Sequence, residues 1–333
     1  MIEINASGVL FIGDPHVSSK RPGRRLDDDF CQTVCAKLDE AFGIASTKDY
    51  YPIILGDLFD DEKDSKPLML TRVIRSLGLA SKVPLTLVGN HEKTQFFLTD
   101  DTALAALREA GVVDTLEKNG FCAKITIGDK VVLIGGTPYG QDIPKSVQTE
   151  RKSLGGDFVI WLTHHDLAFK NAYPGSSEIL EILGVDMLVN GHMHKPTPSV
   201  KVGAMIAHNP GNITRMSIDC KDQIPSVWSW EPNGGTDLTQ IPLKFKRESI
   251  NLEGYVFDEV AGSTSKEAKA ELLVQESTFA KLLLQHKNED AKKTDDAKLL
   301  KEDMDALHLS MGHDDGFKAY MLEMLDEALR DSN

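Results

Sequence analysis

The chain has 333 residues, with 37 Lys+Arg against 51 Asp+Glu and a net charge of −14. A content of 41% hydrophobic and 26% charged residues excludes disorder along the whole length, and no apolar run approaches the roughly 18 residues of a membrane span. The acid surplus argues against a simple DNA-binding domain, which carries excess basic charge; residues 251–333, however, hold 19 acidic and 10 basic side chains and thus most of that surplus.

The first residues, MIEINASGVLFIGD, have neither a basic start nor an apolar segment of signal-peptide length. The four cysteines (Cys31, Cys35, Cys122, Cys220) are scattered and form no disulfide framework. A reducing, cytoplasmic setting is therefore expected. Residues 8–12 (GVLFI), 52–55 (PIIL) and 84–88 (PLTLV) are short apolar runs that read as buried parallel strands. The spacing predicts helices over 28–45, over 67–79 with Pro67 in the first turn, and over 100–110 with Asp100 or Asp101 as cap. Cys31 and Cys35, four apart on the first of these, read as small core residues.

Strand candidates follow at 121–127, 130–135, 158–163, 186–190, 199–208, 213–219, 225–231 and 241–247, with a helix at 176–183. Strands feeding helices first and mostly strands later suggest an α/β chain of two packed sheets with helices outside. The composition divides it into a catalytic domain over 1–250 and an acidic helical tail over 251–333, with tail helices at 265–286, 294–308 and 315–330.

Five predicted strand ends deliver polar residues. They are Gly13-Asp14-Pro15-His16, Gly56-Asp57-Leu58-Phe59-Asp60, Gly89-Asn90-His91-Glu92, Thr163-His164-His165-Asp166 and Gly191-His192-Met193-His194. Ligands of open α/β sheets gather outside the carboxyl ends of strands. Six of the ten histidines fall in these segments. Carboxylate, imidazole and amide donors without thiolate suit manganese, magnesium, iron or zinc. Asp14 with His16, and His192 with His194, alternate along extended chain, and Asp57 is suited to bridge two ions. A pair of such ions lowers the pKa of bound water and clamps both oxygens of an in-line phosphoryl displacement.

In this order the five blocks resemble the calcineurin-like metallophosphoesterase superfamily (D-x-H, G-D-x-x-D, G-N-H-[DE], H, G-H-x-H), over roughly residues 8–215. The resemblance implies a four-layer α/β/β/α sandwich with two divalent ions, manganese preferred. Asp14, His16, Asp57 and His194 would hold one ion, and Asp57, Asn90, His164 and His192 the other. His164 is preferred over the adjacent His165 because it fills the first-histidine place of its block. His91 takes the place of the catalytic histidine.

The segment Gly56–Asp60 before a polar loop and the Pro-led helix is similar to the SbcD-type DNA repair nucleases. So are Arg24–Arg25 with Asp28–Phe30 after the first block, and the loop Asn209–Arg215. That closeness implies a DNA exonuclease subunit, with DNA as substrate, an SbcC-like ATPase docking on the C-terminal helices, no membrane association, and a homodimer as an open alternative. No G-x-x-x-x-G-K-[ST] loop is present, so the ATPase would be a separate chain. Arg24, Arg25, Asp60, His208 and Arg215 are candidate substrate contacts; the first two belong to a basic cluster with Lys20 and Arg21. A phosphatase or small-molecule phosphodiesterase using the same centre is the alternative.

Overall fold

The computed structural model describes residues 1–245 except 23–24, 94–96, 171, 173–174, 217–219 and 221. The tail over 251–333, its three helices and its docking role lie outside the described residues. The elements are β1 (Ile2–Asn5), β2 (Gly8–Ile12), α1 (Phe30–Lys48), β3 (Tyr50–Ile54), α2 (Pro67–Leu77), β4 (Leu85–Leu87), α3 (Ala103–Glu109), β5 (Asp114–Leu116), β6 (Gly120–Ile127), β7 (Lys130–Thr137) and α4 (Gln148–Leu154). After these come β8 (Phe158–Thr163), β9 (Met187–Asn190), β10 (Thr197–Val202), β11 (Met205–Asn209), β12 (Ser226–Trp230) and β13 (Thr239–Pro242).

They form two sheets. One has seven strands in the order β1-β6-β7-β8-β9-β11-β10, the other six in the order β13-β12-β2-β3-β4-β5. Strands β2 to β5 run parallel, as do β7, β8, β9 and β11. Every residue of β2 and β3 is buried, because both faces are covered. Val9, Phe11, Tyr51 and Ile53 enter the layer between the sheets, where they meet Ile134, Ile160 and Val189. Leu10, Ile12 and Ile54 face the other way, onto Val34, Leu38 and Phe42 of α1 and Val73 of α2. Phe158 and Trp230 stack with ring centroids 4.6 Å apart, so the inter-sheet layer is filled from both sides.

Helices α1, α2 and α3 keep their expected places with shifted ends, whereas α4 is unexpected. Asp29 accepts from the Gln32 amide and starts α1 at Phe30, and Asp49 ends it in the left-handed conformation. Thr102, rather than Asp100 or Asp101, caps α3 through its hydroxyl. Asp101 is engaged by the Thr99 hydroxyl and Asp100 by Arg108. Cys31 and Cys35 are buried free thiols in the α1 core.

Four expectations fail. Residues 176–183 form no helix: Ser177 bridges to Leu167 and Leu183 to Ser146, so an extended strap buries Ile179 and Ile182 on the outer face of the seven-stranded sheet. Spacing of three between two apolar residues suits such a strap as well as a helix. Residues 199–208 split into the β10–β11 hairpin, turned at Gly203 with φ +61°. Residues 213–216 are a buried loop and not a strand, and β13 ends at Pro242. The outer layer on this side is therefore largely non-helical, with α4 burying none of its residues. No helix among the described residues is long and apolar enough to cross a membrane.

Candidate metal centre

Five strand ends meet at one edge. Strands β2, β3 and β4 of the six-stranded sheet lead into Asp14 and His16, Asp57, and Asn90 and His91. Strands β8 and β9 of the other sheet lead into His164 and into His192 and His194. The two sheets touch through these side chains: His164 Nε2 stands 3.0 Å from Asp57 Oδ2 and 3.2 Å from Asn90 Oδ1.

The local backbone is bent hard to bring them together. Asp14, His16, Asp57 and His192 all have positive φ, between 29° and 69°. Among the described non-glycine residues only Asp49, the α1 cap, shares that property. Such conformations cost of order 1–3 kcal/mol each and persist only where the surroundings impose them. Gly89 allows the close approach, since a Cβ there would fall on Asp57 Oδ1.

Asp57 is central. Its Oδ2 lies 3.7 Å from His16 Nε2 as well as 3.0 Å from His164, and its Oδ1 accepts from the His91 amide at 3.0 Å. Burial pushes its carboxyl upward, but His164 and then His16 outweigh burial and hold it well below the usual carboxylate range. His164 answers in kind: burial lowers it, yet the Asp57 charge and hydrogen bond raise it to about 10. Its Nδ1 sits 2.7 Å from the Leu55 carbonyl, which assigns the hydrogen to Nδ1 and turns Nε2 to the centre.

His192 Nδ1 is 2.9 Å from Asn90 Oδ1, and its Nε2 is 3.3 Å from Asp166. His16 Nε2 stands 2.9 Å from His194 Nε2, and its Nδ1 stands 3.3 Å from Asp60 Oδ1. Burial lowers His194 to about 3, so this pair is not two imidazolium ions. His91 Nδ1 lies 2.7 Å from the Asp60 carbonyl oxygen.

Does this set fit divalent ions? Asp14 is fully buried, and neither of its oxygens accepts a hydrogen bond of ordinary geometry. Burial chiefly raises its carboxyl to about 6. The His164 ring stands 3.7 Å from Asp14 Oδ1, and a buried carboxylate left without a close donor is suited to ligate a metal ion. Asp57, His164 and His192 converge with ligand atoms within 4.8 Å of one another, and so do His16, Asp60 and His91. With only nitrogen and oxygen donors, the residues fit two hard-to-borderline cations. The second convergence brings in Asp60 and His91, which the sequence placed outside the ligand set.

Of the adjacent histidines it is His164 that enters the centre. His165 turns away, with Nε2 3.0 Å from the Gln141 carbonyl, and burial lowers it to about 4. Three expected substrate contacts are engaged by other parts of the chain. His208 is buried with Nδ1 2.7 Å from Ser199 Oγ and Nε2 2.8 Å from the Thr236 carbonyl, so packing occupies both nitrogens. Arg25 is buried, paired with Asp27 at 2.8 Å and donating to the Arg215 carbonyl at 3.1 Å. Arg215 is buried with its guanidinium 4.8 Å from the Phe245 ring centre. Arg25 thereby holds the 209–215 loop, whose Asn212 and Ile213 amides donate to the His194 and Gly13 carbonyls at 2.9 Å each. Arg24 lies outside the described residues.

Sequence reasoning assigned no role to Glu92, Asp166 or Tyr139. Fully buried Glu92 accepts from the amides of Gly89 (2.7 Å), Asp57 (3.0 Å) and Phe59 (3.3 Å), and burial raises it to about 8. Its place in the G-N-H-E block was the available signal, as was Asp166 after His164-His165. The Tyr139 ring centre stands 5.4 Å from that of His192, and no motif announced it.

The sequence matches no curated protein. Three solved structures align with this chain at low identity and low structural similarity. A 5'-nucleotidase precursor from Thermus thermophilus is 13% identical with a TM-score of 0.44, over 81% of this chain and 60% of that one. The NAD nucleotidase of Haemophilus influenzae is 13% identical at 0.44, over 78% and 56%. An archaeal phosphodiesterase is 12% identical at 0.36, over 71% and 99%. This chain thus spans about three fifths of the Thermus protein. The family model for calcineurin-like phosphoesterases matches residues 8–196. That match covers every candidate ligand from Asp14 to His194 and more than half the sequence, so the chain belongs to the calcineurin-like phosphoesterase family.

Proposed function

We propose that the chain is a two-metal phosphodiesterase that cuts DNA, a nuclease subunit of the SbcD type. The observation that carries the hydrolytic part is Asp57, flanked by His164 on one side and His16 on the other in a site rich in buried nitrogen and oxygen donors. The nuclease part rests on the Gly56–Asp60 block with its Pro-led helix and on the 209–215 loop seated against Gly13 and His194.

Two divalent ions, held by Asp14, His16, Asp57, Asn90, His164, His192 and His194, would activate water and neutralise phosphate charge. The chain's own groups do the rest. The Leu55 carbonyl and Asp166 fix the His164 and His192 rings. Glu92 holds the Asp57 and Gly89 amides and so sets the position of the Asp57 carboxylate. The Asp60 carbonyl holds His91 Nδ1–H and leaves Nε2 to protonate the leaving oxygen. Manganese as the working ion, a cytoplasmic setting and an SbcC-like ATPase partner complete the reading.

The second reading is a phosphatase or small-molecule phosphodiesterase, favoured by the net charge of −14. A panel of linear double-stranded DNA, single-stranded DNA, a chromogenic diester and a phosphomonoester, in manganese, magnesium and EDTA, separates the two. Metal-dependent loss of DNA with the phosphomonoester intact is expected; hydrolysis of the phosphomonoester alone overturns the nuclease.

A further inference from the structure

The polar loop after β2 and the polar loop after β3 run side by side away from the centre. The His16 and Val17 amides donate to the Asp57 and Leu58 carbonyls at 2.9 and 2.8 Å, and the Asp60 amide returns to the Val17 carbonyl at 3.1 Å. Beyond that ladder the loops part around a cavity of about 340 Å³, lined by Ser19, Lys20, Asp61, Lys63, Asp64, Ser65 and Lys66. The cavity starts one residue past Asp60, whose carboxylate faces His16. It starts three residues past His16, at most about 11 Å along the chain.

Its charges are unequal in availability. Asp64 spends Oδ2 on the Ser19 amide at 2.7 Å, and Asp61 spends Oδ1 on the Lys63 amide at 3.0 Å. Both carboxylates therefore brace the loops. Lys20, Lys63 and Lys66 are exposed, and none of the three forms an ion pair among the described residues, in contrast to Lys82 with Asp49. The buried Ser19 Oγ, on the same wall, has no hydrogen-bond partner.

Lys66 adds a violation of a local rule. It is the N-cap of α2, makes no side-chain cap bond, and no acid occupies the first turn. A helix start favours Ser, Asp or Glu because its amides and dipole are positive there. Placing three cations at that end is unfavourable for the fold alone and favourable for binding an anion. By contrast, the Arg25 and Lys37 cations are buried and spent on loop carbonyls.

We propose that this cavity binds a backbone phosphate flanking the scissile one, so that the substrate is a nucleic-acid strand rather than a mononucleotide. The inference rests on the nuclease reading and narrows it. A limit of about 11 Å is no more than about three steps of a strand at about 3.4 Å per step along a duplex axis, which places the bound phosphate within a few nucleotides of the centre.

The test uses the full chain loaded with manganese, a fluorescein-labelled oligothymidylate and a chromogenic diester. The triple variant Lys20→Gln, Lys63→Gln, Lys66→Gln is compared with Lys118→Gln, Lys130→Gln, Lys145→Gln, three exposed lysines elsewhere. Loss of three phosphate contacts flattens the slope of log affinity against log salt by about 2 units for single strands. The oligonucleotide KM should rise at least tenfold more than that of the diester, and Lys→Arg at the three positions should restore it. The distant triple variant should match the parent. Equal salt slopes for parent and cavity variant overturn the site. Parent protein that binds the strand without cutting it overturns the nuclease reading while the slopes still decide the cavity; parent that neither binds nor cuts overturns both.

Discussion

Replacing Glu92 tests how the centre is held. The side chain is fully buried and accepts three backbone amides, at 2.7, 3.0 and 3.3 Å, from the two segments that carry Asp57 and Asn90. Glu92→Ala orphans all three, and a buried unsatisfied donor costs about 1–3 kcal/mol. Counting the two short contacts alone gives a loss of roughly 2–6 kcal/mol, a large part of the about 5–15 kcal/mol of a typical domain. Glu92→Gln keeps one oxygen for the Gly89 and Asp57 amides and turns an NH2 toward Phe59. Its expected cost is about 1–2 kcal/mol, or a Tm lower by roughly 2–8 °C for a domain of this size. Urea unfolding of the metal-free protein, and metal content of the reloaded protein by mass spectrometry, read both variants. Glu92→Ala as stable as the parent, with full metal content, would refute the reasoning, since those amides would then have other partners.

Three further outcomes follow from the same geometry. Asp57→Asn should reduce metal occupancy at both positions and abolish turnover, and loss at one position only would remove the bridging role. His91→Ala should keep both ions yet lose about 10²- to 10⁴-fold in turnover, the usual weight of a positioned proton donor; unchanged kcat on a chromogenic diester would exclude His91. Metal binding should release protons, because His164 is raised to about 10 and is charged at pH 7 without the ion. Affinity should therefore climb about tenfold per pH unit near pH 7, and more steeply near pH 6 where Asp14, at about 6, also gives up its proton. Calorimetry in buffers of different ionisation enthalpy reads the count, and zero released protons contradicts it.

Much of the centre was legible because its residues sit in short blocks at strand ends, and a strand end fixes where a side chain goes. GVLFI and PIIL were readable as strands because a run covered on both faces must be apolar throughout. Less legible were residues whose partners lie far away in the chain. His208 and Arg25 carry chemistry-bearing side chains, yet Thr236 and Arg215 take up their donors, and no local pattern encodes those pairings. The strap over 176–183 was misread because two buried isoleucines serve a helix face or an extended crossing equally well. Asp60 was readable as part of its block, whereas its approach to His16 needed the loops themselves.

The positive-φ backbone at Asp14, His16, Asp57 and His192 bears on the order of assembly. These residues resist their own conformation, so the site is unsuited to nucleate the fold, unlike the ligand shells of small metal-dependent domains. The two sheets and their three apolar layers have to close first and press the strand ends into place. Ion capture then comes last, on a scaffold already built. Such a protein can trade one divalent ion for another without unfolding, and the ion it carries would follow the supply around it.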